Sequence, residues 1–157
     1  MKVGQQKRVP LPAFGTKQRH HLFAAYDWRT DQVSWMQAER KNSEHFIAFL
    51  DQLLNNCYPK GRIVLVLDNA TYHRSAASQA ALSLFEHRVL VIWLPSYCSD
   101  LNPIERFWRH LKDLACANRL WTGLLEMLAA VENILMEQNT LTSPLRFLPS
   151  KNICLPT

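Results

Sequence analysis

The sequence predicts a mixed α/β domain, one sheet with helices on both faces. Three observations lead there. Residues 63–67 and 89–94 are short, β-prone apolar runs, the second of them stopped by Pro95. Segments between and after them carry apolar residues at helical spacing. Ahead of them, two stretches with strand character flank residues 27–31 and read as a hairpin. The resulting order is hairpin, helix, strand, helix, strand, helix, followed by a last helix.

Each element has a local reason. Residues 1–19 are basic, with Pro10, Pro12 and Gly15 and little periodicity, and read as an extended arm. Residues 21–26 form one strand, 27–31 the turn, and 32–36 the returning strand. Ser43 is placed to cap a helix whose apolar face is Phe46, Phe49, Leu50, Leu53 and Leu54. Residues 58–61 end it. The unbroken run at 63–67 suits a strand covered on both faces. Ser75 caps a helix presenting Ala77, Ala80, Ala81, Leu84 and Phe85. From Asn102 a helix presents Ile104, Phe107, Trp108, Leu111 and Leu114. The last helix starts near Thr122 and carries Leu125, Leu128, Val131 and Leu135. With Pro144, Pro149 and Pro156, residues 140–157 read as an irregular tail. The chain thus divides into the arm, a folded region at 20–139, and the tail.

Composition narrows the class without choosing a function. A chain of 157 residues, 48% apolar and 20% charged, is ordinary for one globular domain with a real core. No apolar run approaches a membrane span, and the polar N-terminus does not read as a signal peptide. Cys57, Cys98, Cys116 and Cys154 are scattered, so neither a zinc site nor a disulfide framework is favoured, and a reduced, cytoplasmic protein is expected. A net charge of +5 and a pI near 9.2 allow nucleic acid as a partner but do not require it.

Two acids stand out. Asp68 ends the first apolar run, and ligand sites in open α/β sheets lie beyond the carboxyl ends of strands. Glu105 opens a helix, with 36 residues between the two. Two such carboxylates can meet at one sheet edge, as metal-dependent phosphoryl transfer needs. Blander readings stand beside these. Asp68-Asn69 could be a polar strand end making turn hydrogen bonds. Asn102-Pro103-Ile104-Glu105 also reads as an N-cap, a first-turn proline and a capping-box glutamate. His73 and Arg74 suit a phosphate or a solvated loop. Arg106, Arg109, His110 and Lys112 follow Glu105; Glu105, Arg109 and Lys112 share one helix face, suited to DNA phosphates or to an ordinary ion pair. Trp93 and Trp108 read as core, and His20 and His21 as strand-edge residues.

The block Leu-Asp-Asn-Ala-x-x-His-Arg at 67–74, followed by Leu-Pro-x-Tyr-x-x-Asp-Leu-Asn-Pro-Ile-Glu at 94–105, resembles the second and third acidic blocks of DDE transposase catalytic domains. The likeness is to the insertion-sequence branch of the mariner superfamily and covers roughly residues 2–115. It implies a ribonuclease-H-like fold, Asp68 and Glu105 as catalytic metal ligands, and a two-metal site for Mg²⁺ or Mn²⁺. It implies His73, Arg74, Arg106, Arg109 and Lys112 near nucleic acid. The implied partners are double-stranded DNA, as transposon ends and as target, and a second copy in a homodimer, with a bacterial, nucleoid-associated location and no membrane.

In that family a first Asp ends a strand lying before the segment matched by residues 4–10. The resemblance therefore implies an N-terminally incomplete catalytic domain, from a truncated or frameshifted reading frame, without its first, central strand. Asp27 and Asp31 fall in the hairpin turn and Asp51 inside a helix, so none substitutes. Loss of that strand is expected to expose two sheet edges or to force them together. Two rival readings remain at this point: a non-catalytic DNA-binding or dimerising remnant, and another ribonuclease-H-like nuclease.

Overall fold

The computed structural model describes residues 19–96, 102–117, 119 and 121–141. Nearly all of the arm, most of the tail, and residues 97–101 of the third acidic block lie outside the described residues. Strands β1 (His21–Asp27) and β2 (Gln32–Ala38) form an antiparallel hairpin, with Phe23 opposite Met36. Its turn closes where Asp31 takes a positive φ of 56° and accepts a hydrogen bond from the Tyr26 hydroxyl. Asp and Asn are among the few non-glycine residues that visit this region readily. Helix α1 (Ser43–Gln52) follows and continues as a π-helical turn over Leu53–Cys57. Gly61, at φ 82°, turns the chain into β3 (Ile63–Leu67). Then come α2 (Thr71–Arg74), α3 (Ala76–Leu84), β4 (Val89–Trp93), α4 (Pro103–Cys116) and α5 (Leu124–Thr140).

Among the described residues the strands do not join into one sheet: β1 pairs with β2, and β3 pairs with β4, in parallel with Ile63 opposite Val89. Helix α1 bridges the two pairs. Phe46, Phe49 and Leu50 share one core with Phe23 and Ala38 of the hairpin and with Leu67 and Val89 of the parallel pair. A second core covers the opposite face of the hairpin: Leu22, Ala24 and Val33 meet Phe107 and Leu111 of α4 and Leu135 of α5. Alternate residues of a strand point to opposite faces, so β1 and β2 are covered on both.

The expectation of two covered faces fails for β3. Val64 and Val66 are 59% and 42% exposed, and their partners Leu90 and Ile92 are also exposed. Helices α4 and α5 pack on the hairpin and leave that face of β3–β4 uncovered among the described residues. Several local readings shift by one position. Asn42, not Ser43, caps α1, its side chain accepting from the His45 amide at 3.0 Å. The Ser43 hydroxyl instead donates to Ser75 at 2.7 Å. In α3 the buried face is Ser78, Ala81 and Leu82, with Leu84 exposed, because the side of α3 that packs on α1 and α2 is buried. Leu114 and Leu125 are exposed too: Ala115 takes the core place on α4, and α5 begins at Leu124 after Gly123.

Candidate active site

Asp68 stands just past β3, half exposed, at the lip of a cleft of about 520 Å³. Its carboxylate is held by its own loop. Oδ1 accepts from the Ala70 amide at 3.1 Å and from His73 Nδ1 at 2.7 Å. The second bond requires the proton on Nδ1, since a carboxylate only accepts. His73 is buried against Phe46 and Tyr72, with ring centroids 4.5 and 4.3 Å away. That burial pushes its pKa below the ordinary 6.5, against the opposing pull of Asp68. A serine cluster sets the loop. Ser43 donates to Ser75, Ser75 to Ser78 at 3.1 Å, and Ser78 to the Tyr72 carbonyl at 2.5 Å. Ser78 is fully buried, so the cluster satisfies its hydroxyl and clamps α2 against the starts of α1 and α3.

Glu105 lines the same cleft from the first turn of α4. Asn102 caps that helix by accepting from the Ile104 amide at 3.4 Å. Among the described residues the Glu105 carboxylate makes no return bond to the Asn102 amide, so the capping box is not closed and the carboxylate stays exposed. Electrostatics tie the two acids together. Burial raises the Tyr72 phenol to about 12, and the charges of Asp68 and then Glu105 add to the shift. One buried phenol thus feels both carboxylates.

Of the residues singled out in the sequence, Asp68, His73, Glu105 and Lys112 line this cleft. Arg74 turns elsewhere: its guanidinium bonds Asn69 Oδ1 at 3.0 and 2.5 Å and lies 3.6 Å above the Trp93 ring. Arg106 and Arg109 do not line the cleft; Arg109 is exposed on the outer surface of α4. Asp27 bonds Tyr58 and Asp31 bonds Tyr26, away from the site. His20, His21, Lys41 and Tyr72 line the cleft without having been singled out for it. Tyr72 lies inside the Asp68–Arg74 block and could have been found by proximity. Nothing in the sequence near Lys41 marks it.

The donor set suits a hard cation. Both protein bonds to Asp68 fall on Oδ1, which leaves Oδ2 and the Glu105 carboxylate as oxygen donors. Mg²⁺ is commonly held by one or two carboxylates with water and phosphate completing the shell. Among the described residues no group of three His, Cys, Asp or Glu side chains could hold a metal. Two carboxylates fall short of the bridging set that a pair of ions needs.

A hairpin followed by a parallel strand pair, with helices between and after them, is consistent with a ribonuclease-H-like fold. A chain in the cryo-EM structure of the simian T-cell lymphotropic virus intasome in complex with PP2A regulatory subunit B56 gamma has this fold at a TM-score of 0.58. The match covers 87% of this chain and 50% of that one, at 19% identity. The chain belongs to the DDE superfamily endonuclease family, whose model matches residues 1–126. It is also similar to the insertion element IS630 uncharacterized 39 kDa protein of Shigella sonnei, 30% identical over 132 residues. That match takes in 84% of this chain and 38% of the relative's length. Among the described residues no helix is long and apolar enough to cross a membrane.

Proposed function

We propose that this domain supplies two carboxylates of a divalent-metal site for cutting and joining DNA strands at the ends of a mobile element. The observation that carries this is the convergence of Asp68 and Glu105, 36 residues apart in between, on one cleft in a chain of the DDE family. Mg²⁺ or Mn²⁺ bound there would polarise a phosphoryl oxygen and acidify a bound water or hydroxyl. The chain's own residues do the rest. His73 fixes the rotamer of Asp68 by donating from Nδ1, and its burial keeps the ring neutral beside the incoming cation. Lys112, one face along from Glu105, places a positive charge where a DNA phosphate would lie. Lys41 adds a second positive charge to that rim, and His20 and His21 add polar ring nitrogens. No covalent enzyme intermediate is needed, because activated water or a DNA 3′-hydroxyl can attack phosphorus directly.

With two carboxylates, this polypeptide alone is not expected to transfer strands efficiently. Metal binding is the direct test. Mn²⁺ titrated into the chain and followed by water-proton relaxation should bind with a dissociation constant on the order of 1 mM, the weak end of carboxylate sites. Asp68→Asn and Glu105→Gln should each abolish that binding. Unchanged Mn²⁺ affinity in both variants would remove the reading.

A further inference from the structure

We propose that His20 is the general base of the cleft: its ring is held as the Nε2–H tautomer, which leaves Nδ1 free to take the proton of an attacking water or DNA 3′-hydroxyl. The substrate in this statement rests on the DNA-cleavage reading; the tautomer rests on the fold alone.

The tautomer is set from α5. Glu132 is half-buried there, and its carboxylate takes a hydrogen bond from the Gln37 amide nitrogen at 2.6 Å. A carboxylate only accepts, so this bond fixes which way the Gln37 amide points. Its oxygen is turned to His20 and lies 2.9 Å from Nε2. An amide oxygen also only accepts, so the proton sits on Nε2. In the neutral ring the other nitrogen is then bare. Among the described residues Nδ1 of His20 has no hydrogen-bond partner. Gln37 stands opposite Leu22 in the hairpin, on the face that α4 and α5 cover. His20 thus belongs to the side of the cleft walled by α4, the helix of Glu105, and both residues line that cleft. A base within the site, oriented by a third group, is how proteins activate a hydroxyl.

The other cleft groups are less suited. His73 gives its Nδ1 proton to Asp68 and is occupied in orienting that carboxylate. Asp68 and Glu105 are the oxygen donors for a cation. Lys41 and Lys112 carry ammonium groups with no lone pair. His21 has no bond among the described residues that selects its tautomer. The two fixed histidines are therefore held in opposite tautomers, one turned to the protein's own carboxylate and one to a ligand. As the attacking oxygen bonds to phosphorus, its O–H bond breaks and the proton passes to His20 Nδ1. The electron pair of the breaking P–O bond leaves on a ribose 3′-oxygen, which takes a proton from solvent. The ring becomes an imidazolium, and the Gln37 oxygen already accepts from Nε2, so no protein group has to turn.

Proton–nitrogen correlation spectra of the 157-residue chain carrying isotope-labelled histidine, in chelator and mildly alkaline buffer, read both tautomers directly. His20 should appear as Nε2–H and His73 as Nδ1–H in one spectrum. Gln37→Leu and Glu132→Ala should each let His20 populate both tautomers and leave His73 as it is. With Mg²⁺ and a short duplex ending in a 3′-hydroxyl, the His20 Nδ1 resonance should move to a hydrogen-bonded position. The same duplex with a 3′-deoxy end should leave it in place. The proposal is overturned if His20 carries its proton on Nδ1, or if the two ends act alike on the ring. It is also overturned if Mg²⁺ alone produces the full shift, which would make His20 a metal ligand. The tautomer is read without metal or DNA, so its failure is separate from failure of the Mn²⁺ titration.

Discussion

Asp68 depends on His73 for its orientation, and His73 depends on burial for its neutrality. This has a pH consequence with a definite sign. The folded-state pKa of His73 lies below the ordinary 6.5, so its contribution to stability is full above 6.5 and is lost as pH falls from there through the folded-state pKa. Urea unfolding measured through this range should show an acid limb that is shallower in His73→Gln. Tyr72 and Tyr58 act on the alkaline side. Both phenols are raised to about 12, chiefly by burial, with Asp68 and Glu105 adding at Tyr72 and Asp27 at Tyr58. The folded chain keeps these protons between pH 10 and 12 while the unfolded chain releases them, so stability is full below 10 and falls across that window. Tyrosinate absorbance should rise later in the folded chain than in urea. Tyr72→Phe should remove part of the lag.

Single side chains also decide how whole elements fit. Asn139, near the end of α5, spans 106 residues to reach Val33 and satisfies both its backbone groups. Truncation leaves a part-buried N–H and C=O unpaired, at about 1–3 kcal/mol for such a loss. Asn139→Ala should therefore lower unfolding free energy by about 2 kcal/mol, read from chemical denaturation. It should also increase amide exchange at Val33 before it affects β3. Helix α5 is held to the hairpin by a second tie, the Gln37 amide donating to Glu132 at 2.6 Å, so the helix should stay docked in that variant.

On the proposed reading, the molecule as a whole should contact DNA without sequence preference. The net charge is +5, and Lys41 and Lys112 stand at the cleft with Arg109 on the outer surface of α4. Nothing among the described residues offers an element built to read base edges. Counterion release then dominates, and three or four phosphate contacts give a log–log salt slope of about −3. Titrations of labelled duplexes at several salt concentrations should return that slope, with a dissociation constant of about 10⁻⁴ to 10⁻⁶ M at physiological salt. Tight, salt-resistant binding to one sequence would contradict it.

The sequence by itself determined the elements and the two acids. Period-2 and helical spacing report local backbone geometry directly, so the hairpin, α1 and both apolar strands were legible in it. Asp68 and Glu105 were legible because each sits at an element terminus inside a dense motif. Tertiary structure decided what local spacing cannot encode. Whether Glu105 closes a capping box or faces a cleft depends on where α4 packs against the hairpin. Leu84, Leu114 and Leu125 fit a helical period but lie off the buried face, because packing on α1 and α2 sets which side of α3 is buried, α5 starts after Gly123, and Ala115 fills the core place on α4. The apolar residues of β3 look fully buried in one dimension, yet Val64 and Val66 face outward because α4 and α5 settle on the hairpin instead. Pairing is likewise a relation between distant segments, and the separation of β1–β2 from β3–β4 among the described residues is a tertiary fact.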